Sequence, residues 1–321
     1  MKSNIHCYIC FKNNTHFHWH TVYDSKIKLY SCLNCNHGFL YPYFSEKKLK
    51  KFYTFDYRKI FYDQAPLFDT PNYVKKMLIQ KGQWKNSNIW AKYVLNKNSN
   101  CKSIMDFGSG FGPFVDNLFE IRGKKIKIYA VEPDFKNRNL GQFSNHINFF
   151  DSLDEIKKKK IKFDVITIFH TLEHLLDPKK LLLNLKKLIP NYGRIYIEVP
   201  NGEGNWEKKN FIHLAHPQVF SKRSLTIAAN LSGFDVVSYF NPTDPHGKDN
   251  NLSIELRLKK NKSIKKLNFK NEVLLKNKFS SVNWKKIDRL KFFLKKIIIK
   301  ILPLRIVGFL VRLIRKYQVI N

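Results

Sequence analysis

The stretch Ser103-Ile104-Met105-Asp106-Phe107-Gly108-Ser109-Gly110-Phe111-Gly112-Pro113-Phe114-Val115 constrains this chain most. Its first residues are apolar enough for a buried strand, and a glycine-rich turn follows at once. Phe114, Val115, Leu118, Phe119 and Ile121 then recur at helical spacing. A strand that breaks on glycine and restarts as a helix suits close approach of a ligand. Glycine removes the Cβ that would hold the ligand away, and the new helix turns free N–H groups toward it. The dinucleotide fingerprint needs its third glycine at position 113, where this chain has Pro113. What stands here is Asp106-x-Gly108-x-Gly110-x-Gly112.

Strand and helix patterns alternate beyond this turn. Lys127–Glu132, Ile147–Phe150, Asp164–His170 and Arg194–Pro200 read as strands, the third of them nearly all apolar, as a strand covered on both faces must be. Pro178–Leu188 and Ser224–Leu231 read as helices, and Phe234–Phe240 and Leu252–Leu258 as two last strands. Alternation of this kind predicts an α/β fold with a doubly wound sheet. Upstream, Tyr73–Lys97 reads as one helix. Glu132 closes the second strand, where a carboxylate can accept both hydroxyls of a ribose.

With Asp106, Gly108, Gly110 and Gly112 in this form, the sequence resembles the class I S-adenosylmethionine-dependent methyltransferases. The resemblance covers roughly residues 102–258 and implies a Rossmann-like sheet of seven strands with the last antiparallel. It also implies that the 73–97 helix covers the cofactor and that the glycines, Asp106 and Glu132 hold it. Asp151 and Ser152 fall where the family contacts adenine, although Asp151 equally suits a helix cap. The run Phe169-His170-Thr171-Leu172-Glu173-His174-Leu175-Leu176-Asp177-Pro178 resembles a subgroup that includes quinol O-methyltransferases. His170 and His174 are therefore candidates beside the sulfonium, able to take a proton from an acceptor hydroxyl; the other reading has Glu173 and His174 organise the turn and Asp177 cap the next helix. In Asn210–Ser221, His213 and His216 are candidates for the acceptor side. Their spacing invites a metal, but the sequence shows no third ligand for it.

Cys7-x-x-Cys10 and Cys32-x-x-Cys35 form two knuckles separated by 21 residues. Four thiolates on two tight turns suit tetrahedral zinc, and the set lacks the carboxylate or open position of a catalytic metal. His6, His18, His20 and His37 stand near enough in sequence to replace a thiolate. Paired knuckles ahead of such a core resemble a bacterial subgroup that includes sugar C-methyltransferases. The expected organisation is a zinc-ribbon-like module over 1–45, a linker and covering helix over 46–100, the cofactor-binding domain over 101–260, and a basic helical tail over 261–321.

Charge marks the tail as a different object. The chain carries 58 basic and 25 acidic residues, a formal net charge of +33. From Lys259 to Asn321 there are 19 basic and two acidic residues. Arg305, Arg312 and Lys316 share one stripe of Leu304–Tyr317 with apolar residues around it, the pattern of a helix lying in an anionic membrane surface. Only ten of the basic residues are arginine, which speaks against nucleic-acid readout. The opening residues are polar and no run is long and apolar enough for a spanning helix, so the expected place is the cytoplasm, peripheral to the inner membrane face. The expected function is methyl transfer from S-adenosylmethionine to a small acceptor: a sugar, nucleotide sugar or lipid-linked glycan. An O-methyltransferase of a quinol is the second reading, and a zinc- and charge-dependent nucleic-acid protein the third.

Overall fold

The computed structural model describes residues 5–20, 26–43, 45–51, 70–141, 146–204, 215–240, 242, 251–260 and 273–281. Residues 52–69 of the expected linker, His213 and the expected Leu304–Tyr317 helix lie outside them.

Seven strands form the main sheet: β4 (Ser103–Phe107), β5 (Lys127–Val131), β6 (Ile147–Phe150), β7 (Val165–Phe169), β8 (Arg194–Pro200), β10 (Phe234–Phe240) and β11 (Asn251–Leu258). Their order across the sheet is β10-β11-β8-β7-β4-β5-β6. β4 to β8 pair in parallel, while β11 runs antiparallel to both of its neighbours. The expected fold is thus present, with the last strand reversed.

Both faces of the sheet are covered, and period-two alternation along the strands assigns residues to each. Ile104, Ile128, Ala130, Val165 and Tyr196 pack with α3 (Gln83–Lys97) and α4 (Pro113–Arg122). Their neighbours Met105, Val131, Ile166, Ile168 and Ile197 face the other way, onto α6 (Leu153–Lys158), α7 (Pro178–Lys186) and α8 (Lys222–Leu231). The helix expected over 73–97 is two helices: α2 (Pro71–Gln80) ends, and α3 begins after Gly82 at φ 71°. Glycine alone takes that conformation without cost, and it turns the chain between the two.

The cysteine module is a second sheet of β1 (Thr15–His20), β2 (Lys28–Cys32) and β3 (His37–Tyr41). Its fourth strand comes from the body: β9 (Gln218–Val219) pairs antiparallel with β3. The far C-terminal side supplies a brace as well. In α9 (Leu275–Ser281) the side chain of Phe279 is fully buried against Gly38, where a Cβ would stand 2.7 Å from its ring. Asn36 closes the joint, accepting from the Leu275 N–H at 2.8 Å and donating to the Val273 carbonyl at 3.0 Å. No helix among the described residues is long and apolar enough to cross a membrane.

Candidate active site

The glycine turn leaves β4 at the carboxyl end of the parallel strands, where open α/β sheets bind ligands. Gly108, Gly110 and Gly112 all have positive φ, at 79°, 58° and 78°. They are not equivalent. A Cβ on Gly108 would stand 2.3 Å from Thr171 Oγ1, so protein fills that space. A Cβ on Gly110 would meet nothing within 4 Å. Gly110 therefore faces an open cradle, and beside it the buried hydroxyl of Ser109 lacks a hydrogen-bond partner. α2 lies over the turn through Val74, Met77 and Leu78, which pack with Phe111.

The turn is tied to β5. Gly108 and Ser109 donate their N–H groups to the Val131 carbonyl at 2.8 and 3.2 Å. Glu132, the next residue, is buried and faces the bend: its carboxylate accepts from Gly110 N–H at 2.8 Å and from Asp134 N–H at 2.9 Å. Burial pushes its pKa up, partly countered by those two backbone donors. Asp106 is also buried and accepts from Thr167 Oγ1 at 2.7 Å. Burial, with Glu132 nearby, pushes it up to about 7 against the Thr167 bond. Asp151 is exposed and paired with Arg138, which also donates to the Glu132 carbonyl at 2.7 Å. Ser152 is the cap residue of α6, with no side-chain bond to the helix. An open glycine, an orphaned hydroxyl and a fixed carboxylate fit an adenosyl cofactor with a ribose and an amino-acid end.

Beyond β7 the chain turns sharply. His170 takes φ 49°, and a 3-10 turn follows over Leu172–His174. Thr171 fastens this turn against the glycines, its hydroxyl donating to the carbonyls of Phe169 at 3.1 Å and Gly108 at 3.4 Å. Trp90 of α3 covers Phe169, ring centroids 4.3 Å apart. The His170 ring lies 3.0 Å from Glu198 and 3.6 Å from Glu173. Burial alone would lower its pKa, but these two carboxylates outweigh that cost and raise it to about 10. In its protonated form the ring has no lone pair with which to take a proton. His174 Nδ1 donates to the Ala215 carbonyl at 2.5 Å, and its ring lies 4.9 Å from that of His216. Asp177 caps α7 by accepting from the Lys180 N–H at 2.8 Å.

Two groups here carry no motif. Glu198 interrupts an otherwise apolar β8, and an acid in a buried strand is a signal that it serves something. Gln218 is buried and reaches both ways, to His37 of the cysteine module at 2.8 Å and to the carbonyls of Leu175 and Leu176 at 3.0 and 3.2 Å. It joins that module to the histidine turn.

The four cysteine sulfurs meet in one cluster. Cys7 and Cys35 lie 3.5 Å apart, as do Cys10 and Cys32, and all four sulfurs fall within 4.8 Å of one another. Zinc–sulfur bonds of about 2.3 Å in a tetrahedron set sulfurs about 3.8 Å apart, so the donor set fits that ion.

Residues 85–239 match a family model described as a methyltransferase domain. The chain is similar to the solved 1,6-didemethyltoxoflavin-N1-methyltransferase of Burkholderia thailandensis, which holds 1,6-didemethyltoxoflavin and S-adenosylhomocysteine. The two are 14% identical over 74% of this chain and 97% of that one, with a TM-score of 0.50. The plantazolicin methyltransferase BpumL, in complex with a monoazolic desmethylPZN analog and SAH, is 15% identical over 67% of this chain and 98% of that one, with a TM-score of 0.48. No protein of curated function matches the sequence.

Proposed function

We propose that this chain, whose residues 85–239 match a methyltransferase domain, is an S-adenosylmethionine-dependent methyltransferase whose acceptor is a hydroxylated small molecule: a sugar, a nucleotide sugar or a lipid-linked glycan. One observation carries this reading. The turn bearing His170 and His174 is fastened by Thr171 onto the carbonyl of Gly108, so the space next to the cofactor cradle is walled by imidazoles and carboxylates. A polyhydroxylated acceptor can satisfy such a wall, whereas a prenylated ring would leave it unpaired.

In this reading the bound sulfonium supplies an activated methyl group, and the protein's work is alignment and exclusion of water. Gly108, Gly110, Gly112, Asp106 and Glu132 hold the cofactor, with Asp151 and Ser152 at its adenine end. His170, held charged by Glu173 and Glu198, orients polar groups. His174 and His216 face the acceptor; the third candidate, His213, lies outside the described residues. The four cysteines hold a structural zinc that stiffens the wall through β3, β9 and Gln218. The tail lies on an anionic membrane surface, and truncation at residue 285 should release the chain from anionic vesicles.

The test is a labelled-methyl transfer assay against nucleotide sugars, a membrane lipid extract containing quinols, and RNA. Label in the sugar or glycan fraction, absent with Gly110→Arg, supports the reading. Label in the quinol alone favours the second reading, and label in RNA the third. Transfer that survives Gly110→Arg undoes the cofactor assignment.

A further inference from the structure

One group of side chains in the histidine turn has a geometry that methyl transfer does not require. Glu173 sits in the 3-10 turn after β7, 2% exposed, and neither of its carboxylate oxygens makes a hydrogen bond. Burying a carboxylate in that condition is costly. Its Oε1 is 3.6 Å from His170 Nδ1 and 3.9 Å from His174 Nε2, beyond hydrogen-bond length for both. His216 approaches from the loop before β9. One donor atom from each of Glu173, His174 and His216 lies within 4.8 Å of the others.

We propose that Glu173, His174 and His216 bind a divalent transition-metal ion at the acceptor end of the site, separate from the ion at the four cysteines. The donor set is the first argument. Two imidazoles and one carboxylate make a site for zinc, iron or manganese with coordination positions left open. The setting of His174 is the second. Its Nδ1 donates to the Ala215 carbonyl and its Nε2 stands 3.9 Å from Glu173 Oε1; metal-bound histidines are habitually oriented by a bond like the first. The third is electrostatic: the Glu173 oxygens stand beyond hydrogen-bond length of both histidine rings, and a cation among these atoms would give them a direct bond. Bonds of about 2.0–2.2 Å bring ligand atoms to about 3–3.5 Å from one another, so the trio has to close by about 1 Å on binding. His170 stays outside the set, its Nε2 held by Glu198 at 3.0 Å. The sequence pattern hid the site because Glu173 lies 43 residues from His216 along the chain. The open positions would take oxygens of the acceptor; that role, though not the metal site itself, rests on the reading of the acceptor as hydroxylated.

Zinc content of the full-length chain after equilibrium dialysis against zinc tests this, read beside S-adenosylhomocysteine binding by calorimetry. The wild type should hold two equivalents. His216→Ala, at a half-buried position, should hold one, with its affinity for S-adenosylhomocysteine within about threefold of wild type. Glu173→Gln should also hold one, and Cys10→Ser should retain only the ion at the histidines. A single equivalent in the wild type overturns the inference, as do two equivalents in His216→Ala. Loss of S-adenosylhomocysteine binding in the wild type would instead sink the methyltransferase reading, whatever the zinc content.

Discussion

The cofactor end and the acceptor end of this site are built by opposite means. The first is local: thirteen consecutive residues make β4, the glycine bend and the start of α4, and Glu132 joins them from the adjoining strand. The second is assembled from distant segments, with His174 and Glu173 after β7, Glu198 on β8, His216 and Gln218 before and on β9, and the cysteine module behind them. A site made of backbone amides tolerates almost any neighbour, whereas a site made of side chains needs a separate scaffold to hold it. Here that scaffold is the ribbon, completed by a strand of the body and braced by α9.

Substitutions at the glycines should separate occupancy from folding most sharply. Gly110→Arg fills open space, so it should abolish S-adenosylhomocysteine binding in calorimetry at a stability cost of about 1–2 kcal/mol, set by the left-handed backbone and not by a clash. Gly108→Ala drives a Cβ into Thr171 and should destabilise the fold by roughly 3 kcal/mol or more, seen as a large fall in melting temperature. If both behave alike, the contrast between the two glycines is wrong.

Disrupting the four-cysteine cluster should act on the other end only. Cys10→Ser is expected to cut methyl transfer by about a hundredfold while S-adenosylhomocysteine affinity stays within about threefold. Equal loss of both would mean that the ribbon supports the whole fold and not the acceptor wall.

Gln218→Ala probes the joint itself. It removes the bonds to His37, Leu175 and Leu176, and leaves buried groups unpaired at about 1–3 kcal/mol. The expected result is a roughly tenfold fall in kcat/KM for the acceptor with cofactor affinity unchanged.

The smallest effect is on pH. Asp106 titrates near 7 in the fold, above its ordinary 3.8, because burial penalises the carboxylate. Its ionisation therefore costs stability as pH rises from about 4 through 7. A cationic amine on the cofactor prefers the ionised form, so S-adenosylhomocysteine should bind up to about tenfold tighter per pH unit as pH approaches 7 from below. Asp106→Asn should flatten that profile, and a flat wild-type profile would remove Asp106 from the cofactor site.

The same contrast explains what the sequence disclosed. β6, β8 and β10 carry the bounds that periodicity assigns, because each is an apolar run closed by glycine, proline or charge. The glycines, Glu132 and the four cysteines stood out because each belongs to a pattern of residue types at fixed intervals. Glu198, Gln218 and the Asn36 joint did not, since each gains its meaning from a residue that only tertiary folding brings near. The break between α2 and α3 was missed because Gly82 sits within a run of good helix formers, and only its positive φ ends the helix.

The shared strand has a consequence for how the chain is made. His37 meets Gln218 across 181 residues, and Asn36 meets Leu275 across 239. A nascent ribbon leaving the ribosome can bring its four cysteines together, yet it stays one strand and one helix short until residues 218–219 and 275–281 have emerged. A module made ahead of the body is thereby finished only after that strand and helix exist, so its closure is a long-range event.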